Sequence, residues 1–268
     1  MLDIILLDGI EYQIMDNYDI YKIVNNELIP PSKKDMKNIK KNFRKNIFKS
    51  KKLNKIASNN IDIKKIDFTI PILEQIEKAI PDNLNSLFYK NISSLRICFS
   101  KDRIIDDRLA LYDDLENELV ISKPKYDDLK LEYSSDKFTL LFKHVLRHEL
   151  FHLSSNNVDH KLFSSVDFLD LGIKHSDAFA EGVTELYTSQ FDKMHYGYNI
   201  EINAITQLSY IISPNIIAEA YFEDLGIIPI VGELNTIINN SNLGKLLFDS
   251  LDNGLNYNLN NNIRFENQ

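Results

Sequence analysis

Apolar and polar positions follow two different periods along this chain, and the changes of period mark its elements. Residues 2–15 form two short apolar stretches around Asp8-Gly9, a two-residue turn signal, and predict a β-hairpin. After Pro30-Pro31, Met36, Ile39, Phe43 and Ile47 recur close to helical spacing and predict an amphipathic helix. Residues 70–87 predict another helix, with Pro71 near its start. Residues 94–100 read as a short strand, and 109–112 with 118–122 read as a hairpin pair. Residues 139–153 hold no Pro or Gly and are rich in apolar side chains, which suits a helix buried on one side. Beyond Thr188 the pattern is helical over 200–212 and 216–222, flanking Pro214, then over 231–238 and 243–251. The stretch 252–268 carries seven Asn and is expected to fray.

These elements predict an α+β fold in three parts. Residues 1–69 are an N-terminal region with the hairpin and the amphipathic helix, 70–188 a core, and 189–268 a helical C-terminal lobe. At 268 residues, with 44% hydrophobic and 26% charged content, the chain can bury a sizeable core. No run of 18 apolar residues occurs, so no membrane span is expected. The first residues lack a basic segment and carry acids within their apolar stretch, unlike a secretory signal. Cys98 is the single cysteine, which excludes an intrachain disulfide and fits a reducing, cytoplasmic setting. Its neighbours Ile97 and Phe99 predict a buried, inert thiol. The Asn-, Ile- and Lys-rich usage resembles that of AT-rich bacterial genomes.

Charge is uneven. Residues 32–56 hold eleven Lys/Arg and one acid, a net of +10, so the rest of a chain of net −8 carries −18. The segment is expected to be a solvated helix docked on the acidic body. The competing expectation is a surface for nucleic acid or anionic lipid.

The chemistry concentrates in His148-Glu149-Leu150-Phe151-His152, an H-E-x-x-H pattern. Histidines four apart lie one turn apart on the same helix face and can reach one tetrahedral metal. Glu149 leans toward the same pocket and can accept a proton from water. Downstream, Glu181-Gly182-Val183-Thr184-Glu185 again puts two carboxylates four apart on one face. One can bind the metal while the other orients a ligand histidine. Spacing leaves open which does which. A metzincin would need Gly at 155 and His at 158, where this chain has Ser155 and Val158. His160 is off that spacing and suits a polar loop. His144 continues the i, i+4 series but lies about 12 Å from His152, too far to share the metal, and is expected as a neighbour or a packed helix-face histidine.

H-E-x-x-H followed by a helix reading A-E-G-x-T-E resembles the gluzincin, thermolysin-like zinc metallopeptidases. The resemblance covers roughly residues 96–188. It implies a zincin-like fold, with a small mixed lobe carrying the active-site helix and a helical C-terminal lobe. It implies zinc held by His148, His152 and Glu181, with Glu149 as general base and Glu185 supporting a ligand histidine. Ala180 departs from the Asn often found there, and the gap from His152 to Glu181 is longer than in thermolysin. The activity implied is that of a zinc metalloendopeptidase acting on peptide or protein substrates. By position, residues 118–122 resemble the strand whose open edge receives an extended peptide. Gluzincins add a Tyr or His at the developing oxyanion. The candidates are His175, Tyr196, Tyr198 and Tyr210, with Tyr198 favoured because it follows Gly197. Two other classes fit part of the pattern: a zinc-binding regulatory or scaffold protein with little turnover, and a polyanion binder using residues 32–56.

Overall fold

In the computed structural model the chain is α+β, mostly helical, with two small sheets among the described residues. It describes residues 3–7, 10–14, 20–24, 27–33, 35, 51–102, 108–156, 176–192, 197–223, 225–239 and 243–260. The predicted basic helix of 32–56 falls largely outside these residues. The chain divides into two compact units, Met1–Lys55 and Ile56–Gln268. The expected boundaries at 69/70 and 188/189 both lie within the second.

The first unit is a four-stranded antiparallel meander, β1 (Asp3–Leu7), β2 (Ile10–Ile14), β3 (Ile20–Val24) and β4 (Glu27–Ile29), in that order across the sheet. The hairpin expected around Asp8-Gly9 is there, with Leu7 opposite Ile10. Helix α1 (Lys51–Asn59) follows in the sequence.

In the second unit, α2 (Thr69–Ala79) ends at Ile80, a 3₁₀ turn covers Asp82–Leu84, and α3 (Ser86–Ser94) follows. The single helix expected over 70–87 is therefore broken. Pro81 has no N–H to continue a helix and drives the residue before it to extended geometry, here φ −79°, ψ 130° at Ile80. Strands β5 (Arg96–Ser100), β6 (Ala110–Asp113) and β7 (Glu118–Ser122) form a sheet of order β5-β7-β6. β7 pairs parallel with β5 and antiparallel with β6. The 109–122 hairpin is present, but residues 118–122 are the central strand, and the open edge expected there is closed on both sides. β5 and β6 are the edge strands of this sheet. Cys98, on β5, is half-buried rather than buried, and burial followed by the Glu118 carboxylate pushes its thiol up.

Helices α4 (Lys123–Glu132) and α5 (Ser135–Ser155) come next, then α6 (Asp177–Asp192), α7 (Asn199–Leu208), α8 (Pro214–Phe222), α9 (Ile228–Ile238) and α10 (Leu243–Asn260). α10 runs to Asn260, well into the stretch expected to fray. Asp252 shows why. Its carboxylate accepts from Ser176 Oγ at 2.7 Å and from the Ala178 amide at 2.8 Å, so it caps the start of α6. Among the described residues, no helix is long and apolar enough to cross a membrane.

α5 is the centre of this unit. It packs against α2, α3, α4, α6, α8 and β6. Its apolar residues Phe142, Leu146, Leu150, Phe151 and Leu153 are buried, and so are His144, Arg147, His148 and Glu149 between them. The four ionisable residues buried in the second half of this helix must each be paired, because a lone buried charge costs far more than packing returns.

A buried amide network fixes its C-terminal end. Asn91 Nδ2 donates to the carbonyls of Leu153 (2.8 Å) and Asn156 (2.6 Å), two of the acceptors that a helix end leaves open. Asn156 Nδ2 donates to the Tyr112 hydroxyl at 3.0 Å, which donates to Asn117 Oδ1 at 2.7 Å, and Asn117 Nδ2 returns to the Asn91 carbonyl at 2.9 Å. Asn117 sits at φ 49°, the left-handed conformation that Asn tolerates in a turn. One hydrogen-bond network thus ties the hairpin turn to the end of the α5 helix.

Glu74 on α2 is a buried exception. Its Oε1 has no hydrogen-bond partner among the described residues, and burial pushes its carboxyl up to about 7. A carboxyl raised in the folded state stabilises the fold while protonated. That contribution is complete below the unfolded value of 4.5 and is lost as pH rises through about 7. Glu74→Met should therefore be more stable than the parent at pH 8, by on the order of 3 kcal/mol. The gap should narrow as pH falls to 5. Denaturant midpoints at the two pH values check this, and a pH-independent gap would refute it.

Candidate metal centre

Helices α5 and α6 run antiparallel and present matching stripes. On α5 these are His144, His148 and His152, each four apart. On α6 they are Glu181, Glu185 and Asp192, four and eleven residues from the first, again one helical face. Gly182 lets α7 come close behind α6. A Cβ there would meet the Glu201 backbone at 3.0 Å, so any side chain would push α7 away from the residue next to Glu181.

At one end of the seam three donor atoms converge. His148 Nε2 lies 3.0 Å from Glu181 Oε2, His152 Nε2 lies 3.2 Å from the same oxygen, and the two Nε2 atoms are 3.2 Å apart. Ligands at about 2.0–2.1 Å from a tetrahedral zinc are separated by about 3.3 Å. The triangle thus has nearly the edge of that tetrahedron, and its two imidazoles and one carboxylate are a donor set zinc favours. It is the one group among the described residues with metal-ligand geometry.

The other ring nitrogens are held from behind. His148 Nδ1 lies 2.9 Å from Glu185 Oε2, and His152 Nδ1 lies 3.3 Å from Thr184 Oγ1. Thr184 is 2.6 Å from the Tyr221 hydroxyl of α8, which in turn bonds Ser155. With a metal at the centre, each ring would donate from Nδ1, to Glu185 and to Thr184, and turn its Nε2 lone pair to the ion. Glu181 and Glu185, left open by spacing, are separated by geometry: Glu181 faces the two Nε2 atoms and Glu185 faces Nδ1.

Electrostatics favours a cation there. Burial opposes a charge on His148, but Glu181 and Glu185 outweigh it and hold the ring up to about 10. Burial also opposes ionisation of Glu181 and Glu185. The histidines nevertheless hold Glu181 well below the usual carboxylate range, and hydrogen bonds from His144 and His148 bring Glu185 down to about 2. His152 and Glu181 are partly exposed while Glu185 and His144 are buried, so the centre opens on the His152–Glu181 side.

Glu149 is buried beside this centre, and its Oε2 accepts from the Tyr112 amide of β6 at 2.8 Å. Burial raises its carboxyl above the usual range, against the pull of His148 and His152. Tyr198 is the N-cap of α7 at φ 56°. Its ring stacks on His148, with centroids 5.6 Å apart and planes within 10°, and it hydrogen-bonds Glu181. Burial, then the Glu181 charge, pushes its hydroxyl well up, so it stays protonated and able to donate.

The remaining sequence candidates do not join this group. Tyr210 is 78% exposed, at the end of α7 away from the Tyr198 cap. His160, His175 and Tyr196 lie outside the described residues. His144 is no passive helix-face residue: both its nitrogens meet carboxylates. Sequence reasoning missed Thr184, Asp192 and Tyr221. Thr184 stood inside the A-E-G-x-T-E pattern, and its i+3 spacing from Glu181 was the available signal. The chain matches no family model, and neither the curated proteins nor the solved structures contain a significantly similar protein.

Proposed function

We propose that this chain is a zinc-dependent metallopeptidase with a gluzincin-like, zincin-type core. The observation that carries the reading is the triangle of His148, His152 and Glu181 donor atoms, 3.0–3.2 Å on a side, with a buried glutamate next in sequence to His148. Zinc held by these three residues would supply a Lewis acid for water and for the scissile carbonyl.

The chain's own residues fit the other roles. The Tyr112 amide fixes one oxygen of Glu149, so the other takes a proton from water and returns it to the leaving amine. Tyr198, protonated and stacked over His148, is a donor for negative charge developing on the carbonyl oxygen. β6 suits an extended peptide. The Ser122 amide donates to the Leu109 carbonyl at 2.9 Å, which makes these two a hydrogen-bonded pair. By alternation Leu111 and Asp113 also bond β7, while Ala110 and Tyr112 turn their main-chain groups to the edge. A peptide can pair there, with the Tyr112 amide already committed to Glu149.

The test is zinc content by elemental analysis, paired with a peptide-library cleavage screen with and without chelator. Stoichiometric zinc and chelator-sensitive cleavage are expected. Zinc without cleavage of any peptide would favour the scaffold reading, and absence of zinc would refute the metal centre.

A further inference from the structure

The α5–α6 seam continues past the candidate metal centre, and its far end holds a histidine in an unusual position. His144 Nδ1 lies 2.9 Å from Asp192 Oδ2, and its Nε2 lies 3.1 and 3.3 Å from the two oxygens of Glu185. Its side chain is 2% exposed. Arg147 Nη1 donates to the same Asp192 oxygen at 2.6 Å, and Arg147 Nε donates to Gln75 Oε1 of α2 at 3.1 Å. Glu185 is shared: its Oε2 also meets His148 Nδ1 at 2.9 Å.

We propose that His144 is a positioning residue for the metal centre: a cationic imidazole clamped between Glu185 and Asp192 that holds the Glu185 carboxylate against His148. The proposal rests on the reading of His148, His152 and Glu181 as metal ligands.

A neutral imidazole has one N–H and one lone pair. With a carboxylate opposite each nitrogen, a neutral ring would aim its lone pair at a carboxylate lone pair in a buried site. Both nitrogens must donate, and the ring carries a full charge. Burial opposes that charge, and the hydrogen bonds to Asp192 and Glu185 more than offset it. Among the described residues, Glu185 and Asp192 carry −2 and His144 and Arg147 carry +2. The ligand set contributes −1, from Glu181 alone. Without His144, Glu185 would be a buried carboxylate with one fewer donor. It could rotate away from His148 or take up a proton, and in either case His148 would lose the acceptor that fixes its ring.

If His144 acts through Glu185, removing both should cost no more than removing Glu185 alone. Zinc affinity is to be measured at pH 7.5 by competition with a chromophoric chelator, for the parent, His144→Phe, Glu185→Ala and the double variant, each checked for fold by circular dichroism. The expected result is a loss of about 10- to 100-fold in each single variant, the range for groups that orient metal ligands, with no further loss in the double. Parental affinity in a folded His144→Phe, or losses that multiply in the double, would overturn the proposal while leaving the metal centre standing. A parent that takes up no zinc would overturn both. Should His144→Phe not fold, nitrogen-15 NMR of the zinc-loaded parent decides. Two protonated nitrogens on His144 are expected, and a single-tautomer neutral ring would overturn the proposal.

Discussion

Alanine at His148 or at His152 is expected to abolish stoichiometric zinc. Each supplies one corner of a triangle whose other corners are already set, at 3.0 to 3.2 Å. Two remaining protein ligands cannot close a zinc site that needs three plus an open position. The two losses are not equivalent. His148→Ala also strips the buried Glu185 carboxylate of a donor while its bond to His144 stays. His152→Ala leaves Thr184 bonded to Tyr221 and should disturb the fold less. Glu181→Ala should lose most of the affinity, because it removes the only negatively charged corner. Glu185→Ala should lose about 10- to 100-fold, as expected of a group that orients a ligand. Metal content after dialysis reads all four. Full retention in both histidine variants would end the assignment. Loss in Glu185→Ala with retention in Glu181→Ala would reverse the two glutamates.

The parts of this site that were legible in the sequence are those written at helical spacing within one element. His148 with His152, and Glu181 with Glu185, needed only the i, i+4 rule and a continuous helix. The Asp8-Gly9 hairpin and the β6–β7 pair were legible too, since each joins two apolar stretches close in the sequence, the first across a two-residue turn signal. What the sequence hid depends on which elements meet. His144 stood in plain view as the third member of a series, but its role follows from Asp192, 48 residues away on another helix. Thr184 was hidden by its versatility, since a hydroxyl inside a helix more often bonds its own backbone than a histidine. The central place of β7 required the parallel pairing with β5, a long-range contact without a local signature. Pro81 was a different kind of miss. Its signal was local, and it was overridden by apolar periodicity running through it. Asp252 looked like part of a loose polar tail until the start of α6 arrived against it.

Glu149→Gln is expected to keep zinc and lose about 10²–10⁴-fold or more in hydrolysis, the usual worth of a positioned general base. The amide has nearly the shape of the carboxylate, and its oxygen can still accept from the Tyr112 amide, so β6 should stay in register against α5. What it lacks is a basic oxygen for the water proton. Its neutrality removes a buried negative charge beside His148 and His152, a charge that burial already disfavours. The variant should therefore be at least as stable as the parent at neutral pH, which separates a chemical defect from a folding one. Zinc content, thermal midpoint and turnover on any peptide the parent cleaves are to be measured together. Retained metal, an unchanged or higher midpoint and lost turnover place the proton transfer on Glu149. Equal turnover in the two proteins would rule Glu149 out as the base, and the reading of this buried carboxylate would then reduce to an anchor between α5 and the edge of the sheet.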